Sequence, residues 1–347
     1  MNVDSQFMEA NALLRQGRFG EAEKRYRALT RVRPIWAYAN LGTLYMQIGR
    51  DKEAELALRT ALRLDPKLAS PRYTLALQLL RTGRYLEAWP FWEARRELPE
   101  FNIRTPNVAY PEWTGQDLAG KHLVVVLEQG QGDQIQYARF LPQLRRMGAR
   151  VTFVCRPSLA PLFAGMDAEI RPASAGMPAE ADYWVLILSL GLRLGVTLKN
   201  LPAGAYLPGL RLTSGGGIGV AVKGSPTHKN DRHRSLPDDL AEQVSGFGRN
   251  LAPEATGAQD FRDTAEIVAG LDLVISVDTS VAHLAAAMGK PTWVLIPAID
   301  TDWRWLRGRS DSPWYPTARL LRQPGPGRWD RVVRQIESEL QESGLRP

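Results

Sequence analysis

Cysteine and histidine are scarce in this chain. Its 347 residues include one cysteine, Cys155, and four histidines. A single cysteine excludes an internal disulfide and any cluster of cysteine metal ligands. Cys155 lies in the apolar segment RVTFVC, which predicts a buried, unreactive thiol. The histidines form no H-E-x-x-H pattern, so we expect no metal site and no bound cofactor.

Long apolar runs are also absent. No run approaches the roughly 20 residues that a membrane-spanning helix needs. The first residues, MNVDSQFMEANALLRQG, lack the basic stretch and apolar core of a secretory signal. The sequence therefore predicts a cytoplasmic protein without a membrane span.

The charge is basic but dispersed. Lysine and arginine number 44 against 37 acidic residues, a net charge of +7. This balance favours acidic partners such as nucleotide phosphates or anionic sugars. Because no dense basic block is present, we expect no nucleic-acid partner, and solubility is the simpler explanation of the charge.

The first hundred residues repeat. The segments LLRQGRFGEAEKRY, YMQIGRDKEAELAL and LLRTGRYLEAWPFW align, and each carries a glycine followed five residues later by an alanine. The glycines are Gly17, Gly49 and Gly83, and Pro34 and Pro66 follow the first two by seventeen residues. The pattern resembles the tetratricopeptide repeat, a helix–turn–helix unit of about 34 residues. We expect small residues to let paired helices approach and proline to end each unit. About three repeats would offer a groove for a protein; the alternative is a structural or dimerising spacer.

Strands and helices alternate in the rest of the chain, which predicts parallel sheets. After the repeats at 1–100 and a linker at 101–120, we expect an α/β domain at 121–213 and a second one at 214–325. The triple glycine at 215–217 is a candidate hinge between them, and we expect a C-terminal amphipathic helix at 326–347. The predicted fold class is thus helical repeats followed by two Rossmann-like α/β domains.

The first α/β domain places EQGQGDQIQ directly after its first strand. Two glycines permit a tight turn, and Ile135 stands where a dinucleotide fingerprint has its third glycine, which excludes a nicotinamide site. Asp133 is either a helix N-cap or a general base. The acceptor-side loop would comprise Gly130, Gln131, Gly132 and Gln134.

The second α/β domain places a basic loop, KGSPTHKNDRHRSLP, after its own first strand. Such a density of donors suits a diphosphate or a carboxylated sugar. A solvated basic loop is the alternative. The candidate donor-binding residues are Lys223, Gly224, Ser225, Lys229, Arg232 and Arg234.

The segment LVISVDTSVAHLAAAMGKPTWVLIP, residues 273–297, is the most informative. It predicts a strand, a turn, a helix and a strand, with Asp278, Thr279 and Ser280 at the end of the first strand and His283 one turn into the helix. The helix N-terminus, two hydroxyls and an imidazole suit a phosphate. An ordinary βαβ unit with a solvated cap is the alternative. A later loop has the sequence DTDWRWLRGRSDSPWYP. Its residues Trp303, Arg304 and Trp305 either line the ligand cleft or fill the base of the domain.

The α/β half resembles the heptosyltransferase-like glycosyltransferases, which have the two-domain GT-B fold. The resemblance rests on Gly132-Asp133 with Leu141-Pro142 in the first domain, and on DTSVAHLAAAMGKP in the second. Together with the repeats, it looks like a bacterial group of repeat-bearing glycosyltransferases, some of them linked to flagellin glycosylation with nonulosonic acids. Heptosyltransferases proper lack the repeats, and Lys223 stands where relatives tend to have an aromatic residue.

The resemblance implies inverting, metal-independent transfer from a nucleotide sugar, with the donor in the C-terminal domain. It implies that Asp133 is the catalytic base and that Asp278 contacts the sugar or organises its loop. The donor phosphates would be held by Thr279, Ser280 and His283, and the family's basic donor contact would fall near Arg234. We therefore hypothesise transfer to a protein recruited by the repeats. The alternatives are a transferase that extends a glycan or lipid-linked saccharide, and a non-catalytic scaffold that senses a nucleotide.

Overall fold

A computed structural model describes residues 2–344. The chain divides into two compact units. One comprises the chain up to Arg104 together with the distant segment Asp302–Arg307; the other comprises Thr105–Thr301 and the chain from Gly308 onward.

The first unit contains three helical hairpins, which confirm the predicted repeat architecture. Their buried faces share small and aromatic residues, and the recurrent Ala22, Ala54 and Ala88 are fully buried. The six helices are α1 (Val3–Arg15), α2 (Phe19–Leu29), α3 (Pro34–Gln47), α4 (Asp51–Leu64), α5 (Ala69–Arg81) and α6 (Tyr85–Trp92).

The repeat glycines form turns and do not make the close helix approach that was predicted for them. Gly17, Gly49 and Gly83 have φ of +73°, +79° and +81° and form the turns inside the hairpins, where a left-handed backbone favours glycine. The close helix approach is made by Gly42, where an added Cβ would lie 2.4 Å from Leu58 Cγ. Pro34 does not end a unit; it is the first residue of α3, the position that proline's fixed φ suits.

The segment Asp302–Arg307 packs within the repeat unit, although it follows a strand of the second α/β domain. Trp303 is 3% exposed. Its ring meets those of Tyr85, Trp89 and Trp92 edge-on, at centroid distances of 5.7, 5.9 and 5.8 Å. These residues neither line the cleft nor plug a domain base; they complete the core of the third hairpin.

The first α/β domain holds a four-stranded parallel sheet in the order β3-β2-β1-β4. The strands are β1 (His122–Val126), β2 (Arg150–Cys155), β3 (Glu169–Pro172) and β4 (Tyr183–Leu186). The helices are α7 (Gln131–Tyr137), α8 (Leu141–Arg146), α9 (Ala160–Phe163) and α10 (Leu190–Arg193). Because β2 and β4 lie on opposite sides of β1, the carboxyl end of β1 is at a topological switch point, where α/β proteins bind ligands.

The second α/β domain has a five-stranded parallel sheet in the order β6-β5-β7-β8-β9. The strands are β5 (Ile218–Ala221), β6 (Arg249–Asn250), β7 (Leu273–Val277), β8 (Thr292–Ile296) and β9 (Ala318–Arg322). The helices are α11 (Asp231–Arg234), α12 (Asp238–Ser245), α13 (Pro253–Thr256), α14 (Phe261–Gly270), α15 (Ser280–Ala287) and α16 (Trp329–Ser343). Two Rossmann-like domains in tandem confirm the predicted GT-B fold.

The core of this second domain joins α12 and α16 to the sheet. Trp329, Val332 and Ile336 of α16 pack with strand residues such as Ile275 and Leu295. The triple glycine predicted as a hinge is tied to the same domain, because the N–H groups of residues 215 and 217 donate to the Asp272 carboxylate at 2.7 and 3.0 Å.

Cys155 is a buried free thiol at the end of β2, as predicted. Burial raises its pKa to about 12, so the thiol stays protonated and unreactive at neutral pH. Within residues 2–344, the helices are too short or too polar to cross a bilayer.

Candidate functional site

Two predicted motifs from different α/β domains meet at one point. Gly132, the second residue of α7, lies against His283 of α15, since a Cβ added to the glycine would be 2.7 Å from His283 Cδ2. A larger residue at position 132 would push the histidine away or separate the two domains. The contact joins the predicted acceptor-side turn to the predicted donor motif.

The turn after β1 is built on Gly130, which is the N-cap of α7. Asp133 is the third residue of that helix, and its carboxylate accepts a hydrogen bond from Gly130 N at 2.9 Å. The aspartate thus supports the cap and is not itself the N-cap, which corrects that alternative. Gln131 Nε2 donates to Ser158 Oγ at 3.0 Å.

Gln134, the fourth residue of α7, is fully buried. Its Oε1 accepts from Arg156 N at 2.9 Å, and its Nε2 donates to Gly130 O at 3.3 Å. Both ends of the amide are hydrogen-bonded to backbone groups. This side chain therefore stabilises the turn and does not face an acceptor substrate.

Two neighbours of the turn were missed by sequence reasoning. Glu128 is only 4% exposed at the end of β1. Gln129 has a φ of +56°, a left-handed conformation that strains a non-glycine residue and often marks a functional site. The signal was available, because EQG directly follows a buried apolar strand.

The donor motif begins at the carboxyl end of β7. Thr279, not Ser280, is the N-cap of α15, and its hydroxyl accepts from Val281 N at 3.3 Å. Ser280 is the first helical residue. Both hydroxyls therefore stand at the positive end of a helix that begins at the site.

His283 is held on both sides of its ring. It is 8% exposed. Its Nδ1 lies 2.9 Å from the hydroxyl of Tyr315, and its Nε2 lies 3.8 Å from Asp278 Oδ1. The ring edge that carries Nε2 therefore faces the carboxylate of Asp278.

The basic loop after β5 reaches the same motif through Arg234. Its Nη1 donates to Asp278 O at 2.8 Å, and its Nε lies 3.2 Å from Asp231 Oδ1. A Cβ on Gly224 would lie 2.4 Å from that same Asp231 oxygen, so a larger residue there would displace the Asp231–Arg234 ion pair. The structure thus brings residues 224, 234 and 278 together.

Other loop residues are engaged elsewhere. Lys223 Nζ donates to Leu236 O and Asp238 Oδ1, both at 2.6 Å. Ser225 Oγ lies 2.9 Å from Thr227 Oγ1, and Lys229 is exposed. The structure gives Lys223 and Ser225 partners within the loop and its flank.

Arg232 differs from its neighbours. It is exposed, and within residues 2–344 it makes no ion pair or hydrogen bond. It lines a cleft of about 390 Å³ at the carboxyl edge of the second sheet. The same cleft is lined by His233, Ile299, Gln323 and Trp329. An uncommitted guanidinium in a cleft is suited to an anionic group of a ligand.

Over the part of the chain that the structure describes, no group of three or more histidine, cysteine or acidic side chains is placed to hold a metal ion.

Two family models match the chain. Residues 7–69 match the tetratricopeptide repeat, and residues 207–295 match glycosyltransferase family 9, the heptosyltransferases. The second match contains the basic loop and the donor motif, Asp278 to His283.

One curated relative is Protein FlbA of Caulobacter vibrioides. It is 27% identical over 372 aligned positions, covering 88% of this chain and 61% of that protein. The chain therefore spans about three fifths of the length of this relative.

Solved structures give weaker likenesses. A glycosyl transferase family 9 protein from Veillonella parvula is 12% identical, covering 66% of this chain and all of that one, with a TM-score of 0.43. The heptosyltransferase WaaC of E. coli, solved with ADP, is 14% identical, covering 64% of this chain and 99% of that one, with a TM-score of 0.41. An O-GlcNAc transferase from Thermobaculum terrenum is 13% identical, covering 86% and 83% of the two chains, with a TM-score of 0.26.

The two family matches agree with the helical hairpins and with the motifs at the carboxyl edge of the second sheet. The chain thus joins a segment that matches the tetratricopeptide repeat to one that matches glycosyltransferase family 9.

Proposed function

We propose that the protein transfers a sugar from a nucleotide-sugar donor to a polypeptide held by its repeats, with inversion and without a metal. One observation supports this most strongly. The glycine turn that carries Asp133 touches His283 of the donor motif, so a candidate base and a candidate phosphate site lie on either side of one point.

The donor phosphate would sit at the N-terminus of α15. Free N–H groups and the helix dipole favour an anion there. The hydroxyls of Thr279 and Ser280 and the Nε2 edge of His283 add donors, and Arg234 supplies positive charge beside Asp278 O. In this proposal Asp278 organises the site, because its backbone carbonyl anchors the arginine.

The acceptor hydroxyl would approach from the side of the turn after β1. Its oxygen forms the new bond to the anomeric carbon while the bond to the nucleotide phosphate breaks on the opposite face, which inverts the configuration. Asp133 takes the hydroxyl proton, and the leaving phosphate keeps the electron pair. The helix dipole and Arg234 stabilise that charge, which is the work a metal ion would otherwise do.

The repeats supply the argument for a polypeptide acceptor, since such stacks offer a concave surface to peptides. We assign the donor to the domain at 214–325 and the acceptor side to 121–213, with 1–100 for recruitment. A cytoplasmic location is proposed as well, in keeping with the lone reduced thiol.

The test has two steps. Thermal shift with UDP, ADP, GDP, CDP and CMP identifies the nucleotide, because a ligand at 100 times its Kd stabilises by about 2.7 kcal/mol. Mass spectrometry of a co-expressed flagellin-like protein then detects added sugar. Sugar appearing only on a saccharide acceptor would favour the glycan-extending alternative. Nucleotide binding with no transfer to either acceptor would favour the sensing scaffold.

Arg232→Gln is expected to raise the donor KM about tenfold at low salt while kcat changes little. The residue lines the cleft without a partner among the described residues, so its charge is available to the donor, and hydrogen bonds to charged groups are worth roughly one to two factors of ten. The loss should shrink as salt rises, because screening weakens the wild-type contact. Steady-state kinetics at two ionic strengths measure both effects.

The matched control is Arg249→Gln. Arg249 is the exposed first residue of β6. It lies at the amino-terminal edge of the same sheet, so this variant makes the same charge change away from the cleft. If both variants behave alike, or if neither alters the KM, the basic loop is only a solvated surface.

A further inference from the structure

Tyr315 is a residue that neither the motifs nor the proposed chemistry uses. It is fully buried, and it lies in the loop between β8 and β9. Its hydroxyl is 2.9 Å from His283 Nδ1. The donor-side histidine thus has a partner from a different part of the second α/β domain.

The surroundings of His283 select one tautomer. A carboxylate oxygen of Asp278 lies 3.8 Å from Nε2. Because an ionised carboxylate only accepts hydrogen bonds, it favours the tautomer with the proton on Nε2. In that tautomer Nδ1 is an acceptor for the Tyr315 hydroxyl, which is also hydrogen-bonded to the side chain of Tyr206. The second nitrogen of a histidine is commonly set in this way by the bond that the first one makes.

The ring of Tyr315 is itself held by a cation from the other α/β domain. Arg139 follows α7 and is 2% exposed. Its guanidinium carbon lies 4.7 Å from the centre of the Tyr315 ring, 5.1 Å from that of Trp314 and 4.8 Å from that of Tyr206. Its Nη1 donates to Trp314 O at 2.6 Å and to Pro202 O at 2.9 Å. A buried cation over aromatic faces is a strong and directional contact.

We propose that Tyr315 is a positioning residue that presents the Nε2–H of His283 to the donor phosphate, and that Arg139 fixes the ring of Tyr315 across the two α/β domains. The inference rests on the proposed function, because it assigns His283 to the donor. It adds that the histidine is set correctly only while residues from both domains are packed around it.

Tyr315→Phe tests the hydroxyl without removing the ring. Tyr110→Phe is the matched control: Tyr110 is also buried, but its hydroxyl donates to Pro178 O at 3.1 Å, in the first α/β domain, and not to the histidine. Tyr206 is unsuitable as a control because its side chain is hydrogen-bonded to that of Tyr315. Nitrogen-15 NMR of the ring nitrogens, with the His283 signal identified by its loss in His283→Ala, reports the tautomer without any nucleotide. We expect the Nε2–H form in the wild type and in Tyr110→Phe, and a mixture in Tyr315→Phe.

Nucleotide affinity supplies the second measurement. Calorimetry uses whichever of UDP, ADP, GDP, CDP or CMP binds the wild type. Tyr315→Phe should weaken its Kd about three- to tenfold, the range for one lost hydrogen bond, and Tyr110→Phe should not. In a His283→Ala background, Tyr315→Phe should have no further effect, because its route through the histidine is gone.

The outcomes separate the inference from the function. If the wild type binds a nucleotide but Tyr315→Phe leaves the tautomer and the Kd unchanged, the positioning role is wrong while the donor site stands. An additive loss in the His283→Ala background also overturns it, since the tyrosine would then act by another route. If the wild type binds none of the five nucleotides, the proposed function and the inference fall together.

Discussion

Asp133→Asn is expected to lower kcat by at least about a hundredfold while donor affinity changes little, since a general base contributes roughly 10²–10⁴-fold. The carboxylate accepts a hydrogen bond from Gly130 N, and the carbonyl oxygen of asparagine can accept the same bond. The variant should therefore keep the turn, the start of α7 and the contact between Gly132 and His283. What it loses is the basicity needed to take the acceptor proton.

Steady-state kinetics with both substrates varied measure the effect, and nucleotide calorimetry checks that the donor site is intact. Asp260→Asn is the matched control. Asp260 caps α14 by accepting from the N–H groups of residues 262 and 263, so the same change there tests capping without chemistry. A kcat near the wild-type value in Asp133→Asn would mean that the aspartate only supports the helix start, and the base would have to be sought elsewhere, beginning with the buried Glu128.

The sequence predicted the parts of the fold whose cause is local. The strands that begin at His122, Leu273 and Thr292 are buried apolar runs between turn signals, and they appear where the pattern places them. Three strands, β3, β6 and β9, were not predicted, and two of them lack that pattern. β6 is only Arg249–Asn250, with both residues exposed, and β3 is Glu169–Pro172, with no fully buried residue. Their pairing depends on the neighbouring strand and not on their own periodicity.

The candidate site likewise has some features with a local cause and others that depend on contacts between distant residues. The helix starts that are capped by Thr279 and Gly130 follow from short-range capping rules. The contact of Tyr315 with His283 and the burial of Arg139 under aromatic rings join residues that are far apart in the chain, and no spacing rule foretells them. Gln134 was predicted to face the acceptor substrate because it follows two glycines. Its amide is instead hydrogen-bonded to backbone groups of Gly130 and Arg156.

The segment Asp302–Arg307 leads to a second large expected effect. Trp303→Ala should destabilise the repeat unit by about 3–5 kcal/mol, the usual cost of truncating a buried tryptophan. The ring fills the space between Tyr85, Trp89 and Trp92, and its loss leaves a cavity beside the third hairpin. Urea unfolding of the full chain gives the size of the effect, and hydrogen exchange should show the earliest opening in α5 and α6.

Trp36→Ala is the control for this change, because Trp36 is 49% exposed on α3 and its truncation should alter stability by no more than about 0.5 kcal/mol. If the repeats recruit the polypeptide, Trp303→Ala should also reduce transfer to it while nucleotide affinity stays at the wild-type level. Deleting residues 1–100 is a less specific test, because it leaves Trp303 and Trp305 without the helices that bury them. Equal urea midpoints for Trp303→Ala and the wild type would show that the segment does not complete the repeat core. A destabilised variant that still modifies its acceptor at the full rate would instead make the repeats a spacer.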